Sequence, residues 1–298
     1  MDFIEVNNVV KQYDGHRALD HVSMNVPQGC VYGLLGPNGA GKTSLIRILN
    51  MITRADDGEV RIGGEPLEER HVQSIGYLPE ERGLYKKMKV GDHIIYLARL
   101  KGMDRREAVA AMNDWLSRFN LVEWRNRKVE ELSKGMQQKV QFIGTVIHRP
   151  RLLIFDEPFS GFDPVNAEQL KREILRLKEE GATILFSTHN MSSVEDVCER
   201  ITLINHSRVA LEGAVDEVKQ QYKKNVFSIT LGGGALLEPC EALFHIEEAA
   251  PGKATIKLAP GVTTREAIAH LNEHYALAGF VEQLPSMHEI FLETVAQP

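Results

Sequence analysis

The strongest indication of the fold is an octapeptide, Gly36-Pro37-Asn38-Gly39-Ala40-Gly41-Lys42-Thr43, which matches the pattern G-x-x-x-x-G-K-[S/T]. An apolar run, Val31–Leu35, precedes it directly, and apolar residues at helical spacing follow it at Leu45, Ile46, Leu49 and Ile52. In a loop between such a strand and helix, main-chain N–H groups and the helix N-terminus can face an anion. The octapeptide therefore predicts a P-loop nucleotide-binding core, with Lys42 near the β- and γ-phosphates and Thr43 on Mg²⁺. A plain glycine-rich turn before a helix is the alternative, which the agreement of strand, loop and helix disfavours.

Further apolar runs without alternation follow in the middle of the chain, at Leu152–Phe155, Thr183–Phe186 and Ile201–Ile204. Such runs are typical of strands buried on both faces of a parallel sheet. A helical pattern at Pro164–Glu180 separates two of them, with Asp163 placed to cap it. Alternation at Val22–Val26 and near Asp57-Gly58 predicts a small antiparallel sheet before the core. The fold class is thus α/β, with a P-loop NTPase core and an N-terminal antiparallel β subdomain.

Two domains of unequal size are predicted along the 298 residues. Helical patterns dominate from about 88 to 127, so we expect a helical insertion at about 82–135 within a first domain at 1–222. The polar run Gln220–Lys224 marks the boundary, and strand and helix patterns beyond it predict a small α+β domain at 223–298. Ser286 with Glu289 is a possible capping box for its last helix. This domain carries no recognisable chemistry, so plain packing and a regulatory or dimer-bridging role both stay open.

Composition excludes some classes of protein. The formal net charge of −6 provides no basic footprint for nucleic acid, and no run approaches the roughly 20 apolar residues that a spanning helix needs. Acidic residues stand where a signal peptide would be basic, and the cysteines Cys30, Cys198 and Cys240 have no metal-ligand spacing. We therefore expect a reduced, cytoplasmic protein.

A second half of the nucleotide site is predicted where the run Leu152–Phe155 ends in two carboxylates. Asp156 is placed to hold Mg²⁺, directly or through water, and Glu157 to polarise an attacking water. Alone, an apolar run that ends in Asp-Glu is more often a strand reaching the surface. Its order after a phosphate loop favours the functional interpretation.

The segment Leu132-Ser133-Lys134-Gly135-Met136-Gln137-Gln138 identifies the kind of P-loop protein. At this point the sequence resembles the ATP-binding subunits of ABC transporters, whose signature is L-S-G-G-Q. Ser133 and Gly135 match, whereas Lys134 and Met136 depart from the usual Gly and Gln. A helix cap at Ser133 is the ordinary alternative for an isolated Leu-Ser-x-Gly.

Within residues 1–220, other landmarks follow the family order, and the resemblance implies their roles. Tyr13 would stack on adenine, Ser160–Asp163 would follow the catalytic glutamate, and His189 would sense the γ-phosphate. A partly buried strand tyrosine, a helix cap at Asp163 and a structural histidine are the ordinary alternatives. The resemblance implies Lys42, Glu157 and His189 as catalytic residues and Mg²⁺ held by Thr43, Asp156 and Glu80. The implied ATP-binding residues are Tyr13, Gly36, Pro37, Asn38, Gly39, Ala40, Gly41, Lys42, Thr43, Ser44, Ser133 and Gly135.

Glu80 departs from the family, which commonly has Gln after Ile75-Gly76-Tyr77-Leu78-Pro79. Glutamate can still bind Mg²⁺ but adds negative charge near the phosphates. The segment Gly76–Tyr85 and the C-terminal Pro285-Ser286-x-x-Glu289-Ile290-Phe291 resemble the exporter branch that includes sodium-efflux and drug-efflux ATPases.

The resemblance also implies partners and a cellular location. Two copies, or this chain and a similar ATPase subunit, would pair head to tail, with Ser133 and Gly135 of one completing the ATP site of the other. Closure of this dimer would act through the region Glu80–Tyr85 on a separate membrane permease. The chain would then be peripheral on the inner face of the cell membrane. We expect no nucleic-acid partner.

Several alternatives to the transporter subunit remain. A soluble ABC ATPase acting on nucleic acid or the ribosome is one, although this chain has one cassette and an insertion too short for a coiled-coil arm. A nucleotide-dependent module without turnover is another, which the presence of Glu157 and His189 disfavours. A P-loop kinase or GTPase would lack Leu132-Ser133-x-Gly135 at this position.

Overall fold

The computed structural model describes residues 2–81 and 83–296. Arg82, at the predicted start of the helical insertion, and Gln297 and Pro298, at the predicted end of the C-terminal domain, lie outside these residues. The described chain divides into two compact units between Val215 and Asp216, rather than after Tyr222. The polar run Gln220–Lys224 that suggested the later boundary begins in the last turn of the helix Val215–Gln221, whose Val218 is fully buried.

The core of the first unit is a mixed sheet. Within the described residues its strand order is β10-β9-β3-β8-β7-β6. The strands β6, β7, β8, β3 and β9 run parallel, and β10 pairs antiparallel with β9 at the edge. The predicted buried runs are confirmed as four of these strands, and every residue of β3, β7 and β8 is buried. Their bounds are β3 Val31–Leu35, β6 Ile75–Leu78, β7 Leu152–Asp156, β8 Thr183–Thr188, β9 Arg200–Asn205 and β10 Arg208–Ala214.

Helices flank this sheet and form the insertion. The helix that follows the phosphate loop begins at Lys42, and the helix after Asp156-Glu157 begins at Pro164 with Asp163 as its cap, as predicted. Asp163 accepts a hydrogen bond from the Asn166 N–H at 3.0 Å. The helical insertion contains α2 and α3 and leads into α4. Their bounds are α1 Lys42–Leu49, α2 Val90–Leu100, α3 Arg105–Arg118, α4 Lys134–Val146, α5 Pro164–Glu179 and α6 Met191–Val197.

The predicted N-terminal antiparallel sheet has the order β2-β1-β4-β5. Its inward residues, such as Ile4, Val6 and Leu19, share one buried cluster with Leu45 and Ile46 of α1. The sheet therefore packs on the helix that begins at the phosphate loop. Its strands are β1 Asp2–Tyr13, β2 His16–Pro27, β4 Asp57–Ile62 and β5 Glu65–Pro66.

The second unit is an α+β fold around an antiparallel sheet of order β12-β13-β11-β14. Ser286 and Glu289 form the predicted capping box at the start of α9. The edge strands β12 and β14 were not predicted, because most of their side chains are at least partly exposed and show no apolar alternation. The bounds are α7 Val215–Gln221, β11 Val226–Leu231, β12 Phe244–Ala250, β13 Lys253–Leu258, α8 Thr264–His274, β14 Leu277–Gln283 and α9 Met287–Val295.

No helix in residues 2–81 and 83–296 combines the length and the apolar character needed to cross a bilayer.

Candidate nucleotide-binding site

The topology brings the predicted site residues to one edge of the core sheet. Leu35 pairs with Thr188, Asp156 with Ser187, and Leu78 with Phe155, all in parallel register. Because parallel strands end together, the segments that follow β3, β7, β8 and β6 meet at their carboxyl ends. These segments carry the phosphate loop, Asp156-Glu157, His189 and Glu80.

The phosphate loop lies against the main chain of its neighbours. A Cβ added at Gly36 would lie 2.2 Å from the Ile204 carbonyl oxygen, and one at Gly41 would lie 2.3 Å from the Ala18 carbonyl oxygen. Both glycines also have positive φ, +146° and +117°. Side chains are excluded here because a main-chain oxygen cannot rotate away as a flexible side chain can. The glycines of the motif thus allow the loop backbone to lie directly against the main chain of its neighbours.

Lys42 lies at the first position of α1 and bends back over the loop. Its Nζ donates hydrogen bonds to the carbonyl oxygens of Gly36 at 2.6 Å and Pro37 at 3.1 Å. Burial lowers the pKa of Lys42, and the carboxylates of Glu157, Asp156 and Glu80 oppose this shift. The structure therefore places the predicted phosphate-binding ammonium within electrostatic reach of all three predicted acidic site residues.

The other loop residues lie where their main chain can face a phosphate. Asn38 and Gly39 are exposed at the tip, and the Ala40 N–H donates to the Pro37 carbonyl oxygen at 3.2 Å. Thr43 is exposed and Ser44 partly exposed in the first turn of α1. The N-terminus of a helix carries about half a positive charge, so this turn favours an anion.

Burial and neighbouring carboxylates raise the pKa of Asp156. Asp156 is 6% exposed at the end of β7, and burial raises its pKa. The nearby carboxylates of Glu157 and Glu80 act in the same direction. Glu80 itself is exposed in the loop after β6. This concentration of negative charge on oxygen ligands is the donor set that Mg²⁺ prefers.

Glu157 is held by hydrogen bonds from the end of β8. Its Oε1 accepts the main-chain N–H of His189 at 2.8 Å and lies 2.6 Å from His189 Nδ1. Its Oε2 accepts the Thr188 hydroxyl at 3.0 Å. The Glu157 side chain is 12% exposed, whereas that of His189 is 62% exposed. The carboxylate is thus fixed at the sheet edge beside an accessible imidazole.

Two predicted elements are not tied to this cluster by the contacts of the described residues. Tyr13 is 39% exposed at the end of β1, and Lys11 Nζ lies 5.5 Å from the centre of its ring. Ser133 is exposed and caps α4, where its hydroxyl oxygen accepts the Met136 N–H at 3.3 Å. The ordinary interpretation of Ser133 as a helix cap is therefore correct, and it leaves the exposed signature available for a further contact.

Three polar residues at the site were missed by sequence reasoning. Thr188 holds Glu157, and Gln141 and Gln138 of α4 contact the loops that carry Glu80 and Ser160. The spacing of the two glutamines, three residues apart on a helix that starts at the signature, would have placed them on one face.

Comparisons with known proteins agree with this geometry. The family described as ABC transporter matches residues 19–160, and the ATP-binding protein DrrA1-3-like C-terminal domain matches residues 213–295. The ABC transporter ATP-binding protein YhaQ of Bacillus subtilis (strain 168) is 42% identical over 293 residues, which are 98% of each chain. The daunorubicin/doxorubicin resistance ATP-binding protein DrrA of Streptomyces peucetius is 29% identical, over 99% of this chain and 93% of that protein.

A solved ATP-binding subunit of an ABC transporter superposes with a TM-score of 0.69 at 29% identity, covering 74% of this chain and 93% of that one. The predicted P-loop α/β core is confirmed by this likeness. The match of the full length to YhaQ extends the relationship beyond the core to the C-terminal unit. The chain belongs to the ATP-binding subunits of ABC transporters and is an ATPase.

Proposed function

We propose that this chain binds Mg²⁺-ATP at the carboxyl edge of its core sheet and that hydrolysis there drives a separate membrane permease. The carrying observation is the parallel register of the core strands, which brings the segments with Lys42, Asp156-Glu157 and Glu80 to one edge of the sheet beside the phosphate loop. Phosphoryl transfer requires positioning and charge neutralisation more than covalent chemistry, and this cluster supplies both.

The residues divide into phosphate, metal and water contacts. Lys42 and the main chain of 36–44 bind the phosphates. Thr43, Asp156 and Glu80 would hold Mg²⁺, whose hydroxyl and carboxylate oxygen ligands suit this hard cation, and the bound ion would supply neutralisation of phosphate charge. The adenine stacks on Tyr13, whose exposed ring is accessible to it.

Glu157 acts as the general base that orients and deprotonates the attacking water. The contacts from Thr188 and His189 hold the Glu157 carboxylate in one place. The bound nucleotide therefore has to position only the attacking water and not the base. His189 is close enough to Glu157 and exposed enough to contact the γ-phosphate as well. His189 would therefore couple the presence of the γ-phosphate to the environment of the Glu157 carboxylate.

The signature completes the site of a second subunit. Ser133 and Gly135 lie at the accessible start of α4, without contact to Lys42 of their own chain among the described residues. A homodimer, or a pair with a similar ATPase subunit, would bring them to the partner's γ-phosphate. Loss of that phosphate on hydrolysis removes the shared contacts and allows the dimer to open.

Export is the direction that the relatives support. The name of the full-length relative DrrA describes resistance to daunorubicin and doxorubicin, and the C-terminal unit matches a domain of DrrA-like proteins. We propose that this chain, seated on the cytoplasmic face of a permease, powers efflux.

Replacing Lys42 tests the nucleotide site. Lys42→Ala should weaken ATP binding by roughly tenfold to a hundredfold, since a hydrogen bond to a charged group contributes about 1.5–3 kcal/mol. Titration calorimetry measures the affinity, and Lys253→Ala, which removes a lysine from β13, is the matched control. An unchanged ATP affinity in Lys42→Ala would contradict the assignment of the phosphate loop as the nucleotide site. The proposed permease is tested separately, by copurification of this chain with a polytopic membrane protein.

A further inference from the structure

The helix that begins at the signature also holds the loop that carries Glu80. Gln141 lies two turns after Ser133 on α4 and is 9% exposed. Its Nε2 donates to the carbonyl oxygen of Pro79 at 3.1 Å and to that of Glu81 at 3.2 Å. These two carbonyl groups belong to the residues on either side of Glu80. One side chain of α4 thus fixes the main chain on both sides of a proposed metal ligand.

The contact between α4 and β6 is close along its length. A Cβ on Gly76 would lie 2.5 Å from the Thr145 carbonyl oxygen, so the strand needs glycine to approach the helix. The Thr145 hydroxyl is 3.4 Å from the Tyr77 carbonyl oxygen one turn beyond Gln141. Strand β6 is therefore already fixed on α4, and Gln141 extends this attachment into the loop.

A second glutamine makes a similar contact with the other catalytic loop. Gln138 lies three residues before Gln141 and donates through Nε2 to the carbonyl oxygen of Ser160, in the loop after Glu157. Its Oε1 is buried and has no hydrogen-bond partner among the described residues. An unpaired buried acceptor lowers stability, and an apolar residue would fill this position without that cost. The hydrogen bond from Gln138 to the Ser160 carbonyl oxygen is the favourable contact that offsets this cost.

Charge repulsion explains why the Glu80 loop needs holding. Glu80 contributes to the electrostatic environment of Asp156 and Lys42, and Glu157 lies in the same cluster. Like charges repel, which favours movement of the exposed Glu80 away from Asp156, whereas the Lys42 ammonium attracts it. Hydrogen bonds to the neighbouring carbonyls oppose this movement without adding another charge.

We propose that Gln141 is a positioning residue, which keeps Glu80 within reach of the metal and links the signature helix to it. This inference rests on the proposed function, in which Glu80 is a metal ligand. Movement of Ser133 against a nucleotide would be transmitted along α4 to the metal ligand through this carboxamide. The geometry thus makes α4 a direct connection between the two halves of the composite site.

Gln141→Met tests the proposal, because methionine fills a similar volume without donors. We expect turnover to fall by roughly fivefold to thirtyfold, the loss expected when one or both of two hydrogen bonds of about 1 kcal/mol each are removed, and the half-saturating Mg²⁺ concentration to rise. ATP affinity in EDTA should change less than twofold. The deciding measurement is a double-mutant cycle with Glu80→Ala. If Gln141 acts through Glu80, its effects on turnover and on Mg²⁺ affinity should largely vanish in the Glu80→Ala background.

Thr145→Val is the matched control, because it removes the Thr145 hydroxyl contacts to the main-chain carbonyls of Tyr77 and Gln141 while leaving the Gln141 carboxamide and its contacts to the Glu80 loop in place. It should alter stability only. Equal losses from Gln141→Met with and without Glu80 would overturn the proposal, as would an equal loss in Thr145→Val. Should Gln141→Met fail to fold, Gln141→Asn shortens the side chain beyond reach of the carbonyls. A parental protein without Mg²⁺-dependent ATP binding would instead refute the proposed function, so the two failures are distinguishable.

Discussion

Glu157 Oε1 lies 2.6 Å from Nδ1 of His189 and also accepts the main-chain N–H of that residue. The proposed base and the proposed γ-phosphate sensor are therefore in direct contact before any further group joins them. A change in the His189 side chain can shift the electrostatic environment of Glu157 without moving the strand that carries it.

Glu157→Gln should bind ATP and slow hydrolysis by about 10²–10⁴, the range for loss of a positioned general base. The amide keeps the size of the side chain but cannot take a proton from water. Nucleotide-dependent dimerisation, followed by light scattering, should become longer-lived. Hydrolysis at the parental rate would show that another group is the base.

Replacements of Ser133 should separate its two roles. Ser133→Ala removes the cap of α4 and should lower the free energy of unfolding by about 0.5–2 kcal/mol. Ser133→Asp keeps a good capping residue and should leave the stability unchanged. Both variants should reduce hydrolysis, because neither offers a hydroxyl to the partner's phosphate. Thermal unfolding and turnover, measured together, check this, and full activity in Ser133→Asp would contradict the trans contact.

Asp156→Asn should stabilise the nucleotide-free protein at neutral pH while abolishing Mg²⁺-dependent turnover. The raised pKa of Asp156 means that the folded state resists its ionised form. Its contribution to stability is present below the unfolded carboxyl pKa and lost as pH rises through the folded value. The gain in melting temperature should therefore shrink as pH is lowered into the acidic carboxyl range. A gain that is constant with pH would have another origin.

His93 should make the protein sensitive to mild acid. It is fully buried on α2, neither ring nitrogen has a hydrogen-bond partner among the described residues, and burial lowers its pKa to about 4. The unfolded chain binds a proton near pH 6.5 but the folded chain does not, so stability is lost as pH falls from 6.5 towards 4. His93→Phe should retain on the order of 1 kcal/mol more stability at pH 5.5 than at pH 7.5, relative to the parent. Urea denaturation at pH 5.5 and at pH 7.5 measures this difference. Equal losses of stability in the parent and in His93→Phe on acidification would exclude His93 as the cause.

Local signals were sufficient to predict the parts of the site that follow directly from strands. The buried run before Asp156, the phosphate loop after Val31–Leu35 and the cap at Asp163 each depend on neighbouring residues, and the structure has these elements where the sequence predicts them. Strand β6 was missed because it is four residues long and contains Gly76, which weakens a strand pattern. Its glycine is explained by the close approach of Thr145 on α4 and of Leu153 and Pro150, which are all far from it in sequence.

The contacts of Gln138 and Gln141 could not be predicted for a similar reason. Their partners are main-chain carbonyl groups at 160 and at 79 and 81, and a carbonyl group leaves no trace in the residue type. The later predicted boundary, after Tyr222, arose because polarity at 220–224 is equally suited to a linker and to the exposed end of a helix.

The main chain of Glu157 adopts φ +48°, a left-handed conformation that costs a residue other than glycine roughly 1–2 kcal/mol. Glycine adopts this conformation without that cost, but it would give up the hydrogen bonds from Thr188 and His189. A redesign guided by main-chain conformation alone would therefore select Glu157→Gly and would, by our assignment, return an inert enzyme. Any such redesign should hold position 157 constant.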